Sequence, residues 1–205
     1  MIENPLELNA GYRFGFDNMS SITKEMLDGH PIMVREDAGL LSQIVYNTKG
    51  NYIEIGSAYG GSVLIVLRTM DWLLREDKAT CIDPFYDPTR MSTRRDLYKK
   101  VEPQFWRNID HFGYRDRVEH IKALSHPFPE VLQNRRYSIA FIDGNHSYPY
   151  VVNDWNNLKD RVNHYIMFHD YIKPKVANAV DEAVEDENWE LVAIHGWSAV
   201  LKRKN

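Results

Sequence analysis

Cysteine is almost missing from this 205-residue chain: Cys81 is the only one. One thiol cannot make an internal disulfide, which suits a reducing compartment. Long apolar runs are missing too, and none approaches the roughly 20 residues of a membrane-spanning helix. Met1-Ile2-Glu3-Asn4-Pro5 has neither a basic start nor an apolar stretch, so no signal peptide is expected and the reading is cytoplasmic. Charge of one sign is scarce. With 25 Lys and Arg against 29 Asp and Glu the net charge is −4, which removes the general electrostatic case for nucleic acid or an anionic membrane. Repeats, low-complexity tracts and interdomain linkers are absent, so residues 1–205 are expected to form one domain, its 43% hydrophobic content enough for a sizeable core. Aromatics are not scarce: 12 Tyr and 5 Trp can line a pocket or fill the core.

The chain is organised around residues 51–62, Asn-Tyr-Ile-Glu-Ile-Gly-Ser-Ala-Tyr-Gly-Gly-Ser. Tyr52 to Ile55 is a run of β-formers. After Gly61 the period becomes helical, with Val63, Leu64, Val66, Leu67 and Met70 on one face. A strand, a tight turn and a helix follow one another. Such a turn aims backbone N–H groups and a helix N-terminus at whatever lies above the strand's end. Gly56, without a Cβ, lets a ligand come close to the backbone. Glu54 is an acid in an apolar strand, and it needs partners in the loop or on a ligand.

Around this unit the elements alternate. Tyr12, Phe14 and Phe16 alternate with other residues and read as a short strand or folded arm, with residues 1–35 an arm or lid. Arg35 to Thr48 is a helix. Lys78 to Phe85 is a second strand ending in Asp83, an acid placed to bind ribose hydroxyls. Residues 86–112 are a basic, aromatic insertion, helical from Ser92, with Arg90, Arg94, Arg95, Lys99 and Lys100 on a charged face. Arg117 to Ile121 is a third strand. Ser125 and His126 follow in a loop where such folds often meet an adenine, and a helix starts near Pro127 with Phe128, Val131 and Leu132 inward. Tyr137 to Asp143, the helix Tyr148 to Leu158, His164 to Asp170, and the helix Val176 to Glu185 come next. Trp189 to Ile194 and Ser198 to Lys202 close the chain as a hairpin. This order predicts an α/β fold: a doubly wound, mostly parallel sheet of seven strands with an antiparallel C-terminal hairpin.

In such a sheet, ligands bind outside the carboxyl ends of the strands. Glu54, Gly56, Asp83, Asp143, His146, His169 and Asp170 all fall there. Asp143 and Asp170 offer carboxylate oxygens suited to Mg²⁺, Mn²⁺ or Ca²⁺, and His169 adjoins them with an imidazole nitrogen. His146, three residues after Asp143, is a candidate general base, since an unperturbed imidazole titrates near 6.5.

These segments resemble a known family. Glu54-x-Gly56-x-Ala58-x-Gly60 is similar to motif I of the class I S-adenosylmethionine (SAM)-dependent methyltransferases, which usually carry a glycine where this chain has Ala58. Phe141-Ile-Asp-Gly-Asn-His-Ser-Tyr148 and Phe168-His-Asp-Tyr171 resemble signatures of the group that includes cephalosporin-biosynthesis-type enzymes and the metal-dependent O-methyltransferases of macrolide sugars. The resemblance covers roughly residues 50–172. It implies SAM held by Glu54, Gly56, Ser57, Ala58, Tyr59, Gly60, Gly61, Ser62, Asp83, Pro84, Phe85, Ser125, His126 and Asp143. It implies Asp143 and Asp170 as ligands of a divalent metal, Mg²⁺ or Mn²⁺, with His169 standing where relatives usually have an acid. Asp143 and His146 would be the catalytic pair, and the partner a small-molecule acceptor hydroxyl. A homo-oligomer is compatible with the sequence. Two other readings stay open: a nicotinamide-dependent oxidoreductase, and a non-catalytic SAM-binding domain.

Overall fold

A computed structural model describes residues 5–26, 33–85 and 95–204, apart from the side chains of residues 95–99. Seven strands form one sheet in the order β3-β2-β1-β4-β5-β7-β6. β1 (Tyr52–Ile55), β2 (Ala79–Ile82), β3 (Val118–Ile121), β4 (Tyr137–Ile142) and β5 (Val162–Phe168) are parallel. β6 (Trp189–His195) and β7 (Ser198–Arg203) form the antiparallel hairpin, with β7 on β5. The chain first builds outward from β1 to β2 and β3, then crosses to place β4 on the other side of β1. The order therefore reverses between β1 and β4, and a crevice opens outside their carboxyl ends.

Alternation along β1 explains the two layers. Tyr52 joins one hydrophobic cluster, with residues of α1 (Ala10–Glu25), α2 (Arg35–Asn47), α3 (Gly61–Trp72) and α4 (Arg95–His111). Ile53 and Ile55 join the other, with α5 (Tyr148–Leu158) and α6 (Pro174–Ala183). Successive strand residues face opposite sides, so both sides of the sheet are covered, as a parallel sheet requires. This is the doubly wound fold expected from the sequence. Among the described residues no helix is long and apolar enough to cross a membrane.

Two local expectations are corrected. Residues 12–16 are helical, not extended. α1 buries Gly11, Gly15, Met19 and Ile22, a helical spacing hidden from an apolar pattern because half of it is glycine. The glycines bring α1 against α2: a Cβ on Gly15 would lie 2.3 Å from the Ala38 carbonyl oxygen, and one on Gly11 2.4 Å from Tyr46 Cβ. The helix expected from Pro127 is only a 3₁₀ turn, Glu130–Leu132. Leu132 is buried, but Val131 is exposed, so no continuous apolar face sustains a longer helix. α3 ends at Trp72, and Leu74 beyond it turns left-handed at φ 54°. Arg90, Arg94 and the expected helix start at Ser92 lie outside the described residues.

Candidate active site

Two strand exits meet at the crevice. The β ladder runs one step past the strands: Asp143 N–H donates to the Ile55 carbonyl, Gly56 N–H to that of Ile82, and His169 N–H to that of Ile142. Gly56 has φ 89°, and a Cβ there would lie 2.2 Å from the Asp143 carbonyl oxygen. The close approach that demands glycine is thus made by the chain's own β4 exit. Next in the turn, Ala58 adopts φ 42°, a left-handed conformation that disfavours a Cβ. Gly60 (φ 89°) caps α3, packed on Phe105 and Ile109, and a Cβ on Gly61 would meet nothing within 4 Å. The first residue of α3 therefore faces open space beside the turn.

The acids beneath and beside the turn are engaged by the protein. Asp83 Oδ2 accepts the Ser57 and Ala58 N–H groups at 2.8 and 2.9 Å, and Oδ1 accepts that of Phe85 at 2.6 Å. Expected from the sequence as a ribose ligand, Asp83 clasps the turn. Glu54 is fully buried; its Oε2 accepts from the Tyr52 and Ser62 hydroxyls, each at 2.8 Å. Burial pushes its carboxyl up, partly offset by Ser57, Ser62 and Tyr52. Glu54 thus braces the start of α3 from below. Tyr59 is tied through its carbonyl to Asn108 Nδ2 at 2.9 Å. Phe85 is buried, stacked on His120 with ring centroids 4.5 Å apart, and packs in the core with Phe105. Pro84 is partly exposed beside it.

At the exits of β4 and β5 the structure brings Asp143, His146, His169 and Asp170 together. His169 Nδ1 lies 3.1 Å from Asp143 Oδ1 and 3.7 Å from Asp170 Oδ2. His146 Nε2 lies 3.2 Å from both Asp143 Oδ1 and Asp170 Oδ2. Asp170 reaches this point from a left-handed backbone, φ 57°, a strain typical of functional sites. Two residues not singled out from the sequence complete the cluster. Asp37, buried in the first turn of α2, sets Oδ2 3.2 Å from His169 Nε2 and accepts the Trp197 N–H on Oδ1 at 2.9 Å. Lys173, the N-cap of α6, donates to Asp170 Oδ2 and to His146 Nδ1.

The electrostatics follow from these contacts. Burial alone would lower the His169 imidazole, but hydrogen bonds to Asp143 and Asp37 push it up to about 10. Burial alone would raise the Asp143 carboxyl, but His146 and His169 hold it below the usual carboxylate range. The two carboxylates thus favour the imidazolium form of His169 when no cation is bound.

Ser125 and His126 follow β3 in a loop that meets α5. The Ser125 carbonyl accepts from Asn157 Nδ2 at 3.1 Å, and His126 is exposed. Beneath them sits Asp154, 1% exposed, with Oδ1 lacking a hydrogen-bond partner. Burial pushes its carboxyl up to about 7, against a hydrogen bond from Ser125. Its burial was legible: residues 151, 154, 155 and 158 share one helical face. Asp37 carried no such signal, since an acid in a first turn is ordinary at a helix start; Lys173 carried one, since a cation is disfavoured at a helix N-terminus.

This turn, switch-point crevice and polar cluster define a class. A profile of the methyltransferase-domain family matches residues 53–171, and the chain belongs to that family, on the Rossmann-like fold of the class I SAM-dependent enzymes. The uncharacterized protein R132 of Acanthamoeba polyphaga mimivirus is 32% identical over 146 residues, 66% of this chain. The match spans only 59% of that relative's length. Among solved structures the fold is similar to three O-methyltransferases. NovP aligns with a TM-score of 0.67 at 19% identity, over 91% of this chain and 88% of its own. TomG from Streptomyces achromogenes, in complex with SAM, gives 0.66 at 11% identity over 92% and 90%. CalS11, a TDP-rhamnose 3'-O-methyltransferase of calicheamicin biosynthesis, gives 0.58 at 14% identity over 92% and 94%.

Proposed function

We propose that the protein transfers a methyl group from SAM to a hydroxyl of a small molecule or sugar, assisted by a divalent cation. The observation that carries this reading is the meeting of Asp143, His146, His169 and Asp170 beside the Gly56–Gly61 turn, at the switch point. The open space at Gly61 suits a cofactor against the α3 N-terminus, where N–H groups favour an anionic end such as the methionine carboxylate.

The cluster also fits a cation. Asp143, His169 and Asp170 each offer one ligand atom, all within 4.8 Å of one another; the imidazole nitrogen favours Mn²⁺ over Mg²⁺, and His169 would ligate only after giving up its Nδ1 proton. The carboxylate of Asp37 on the far nitrogen of His169 matches the support that ligating histidines usually receive. When bound, a cation at these residues would polarise an acceptor oxygen and lower its pKa. Asp143 and Asp170 orient the acceptor, His146 takes its proton, and the packed turn keeps the reacting groups in line. CalS11's sugar acceptor agrees in class with the hydroxyl read here.

The test is transfer of labelled methyl from SAM to a panel of sugar, phenol and small alicyclic hydroxyls. Turnover is expected to stop with EDTA and to fall about 10²–10⁴-fold in His146→Ala. A rate indifferent to EDTA on a confirmed acceptor would put Asp170 outside the chemistry. SAM binding with no turnover on any acceptor would favour a binding domain.

A further inference from the structure

His146 is cast as the base, yet both of its ring nitrogens are occupied. Lys173 Nζ lies 3.0 Å from Nδ1. An ammonium has donors only, so Nδ1 must accept, and the ring proton is assigned to Nε2. That nitrogen faces Asp143 Oδ1 and Asp170 Oδ2, each at 3.2 Å. In this state the ring has no lone pair left for a hydroxyl proton.

The same lysine also holds Asp170 Oδ2. Asp170 is one of the three groups that converge as candidate ligands with Asp143 and His169. An ammonium and a divalent cation repel one another at such range, so the two compete for this carboxylate. The partners differ in freedom. The Asp170 and His169 side chains are 10% and 2% exposed, and Lys173 is 46% exposed. The Lys173 N–H is fixed to the Asp170 carbonyl at 2.8 Å, so its backbone stays while its flexible stem can swing to solvent. His169, pinned between Asp37 and Asp143, has no such route. The lysine is the member able to give way.

We propose that Lys173 is a latch on the site. Its ammonium holds Asp170 and the Nδ1 of His146, and it yields when Asp143, His169 and Asp170 take up a divalent cation. Its departure frees the His146 lone pair, so cation uptake and readiness of the base are one event. The role of that lone pair rests on the methyltransferase reading above; the competition itself does not.

The test is calorimetric titration of Mn²⁺ into the full chain after EDTA treatment and dialysis, in wild type, Lys173→Met and Lys173→Arg. Apparent affinity falls with the fraction of sites latched. Lys173→Met is expected to bind Mn²⁺ at least about tenfold more tightly than wild type, the mark of a latch closed about nine-tenths of the time. Lys173→Arg, which keeps the charge, is expected to stay near wild type. Equal or weaker binding by Lys173→Met overturns the latch, and so does a lack of Mn²⁺ binding in all three forms. Far-UV circular dichroism of the same samples reports an intact fold, and S-adenosylhomocysteine (SAH) is titrated into them to test the methyltransferase reading separately. SAH binding without the Mn²⁺ difference sinks the latch and leaves the methyltransferase reading standing. The Mn²⁺ difference without SAH binding does the reverse.

Discussion

Asp37 and His169 stand 132 positions apart and meet at 3.2 Å in a buried contact. Asp37 also takes the Trp197 N–H, so one carboxylate ties α2, the β5 exit and the β6–β7 turn into a floor for the site. Asp143 stays at His169 Nδ1, but without Asp37 the Trp197 N–H and His169 Nε2 lose their buried acceptor, a loss of about 1–3 kcal/mol. Asp37→Ala is expected to lose stability in that range in urea unfolding.

The same contact sets a pH dependence. His169 is raised to about 10, above the roughly 6.5 of a free imidazole. The folded chain keeps this proton where the unfolded chain has lost it, so stability falls as pH rises. The contribution is whole below about pH 6.5 and fades through about pH 10. Metal-free protein is expected to lose stability steadily over that window, and Asp37→Asn to show a shallower slope. Equal slopes in urea midpoints measured with EDTA present would remove the imidazolium from the account.

Asp154 has the opposite character. Its carboxyl is pushed up to about 7 by burial, above the roughly 3.9 of a free aspartate. Here the unfolded chain ionises first, so the penalty grows as pH rises from about 4 to about 7 and is complete above. Asp154→Asn, nearly the same in shape, is expected to gain on wild type at about pH 8 and to match it at about pH 4. Thermal unfolding at the two pH values checks this, and a variant less stable at about pH 8 would contradict it.

Ala58 holds φ 42° at the point where relatives usually have glycine. A left-handed alanine costs about 1–2 kcal/mol, while glycine loses more entropy on folding, about 0.5–1 kcal/mol. Ala58→Gly is therefore expected to be neutral or to stabilise by up to about 1 kcal/mol. Marked destabilisation in urea unfolding would show that the methyl group packs usefully.

Much of this was legible in the sequence. β1 and α5 fall at the boundaries that their patterns marked, because one ends at a glycine turn and the other carries apolar residues at helical spacing. Asp143, His146, His169 and Asp170 could be grouped because strand ends in a parallel sheet share one edge. What was hidden depends on contacts distant in sequence. The Asp143 carbonyl against Gly56 and the three N–H groups on Asp83 are contacts that no sequence pattern marks. α1 was obscured because Gly11 and Gly15 carry its buried face. Asp37 and Lys173 join the site only through the return of the chain after β5 and β6.

The cofactor is the most direct point of attack. SAH titrated into the full chain by calorimetry, with NAD as the control, is expected to bind at one site per chain while NAD shows no heat of binding. Asp83→Ala, which unclasps Ser57 and Ala58 and removes the candidate acceptor for the ribose hydroxyls, is expected to weaken SAH by about tenfold or more. Saturable NAD binding with no response to SAH would contradict the account at its centre.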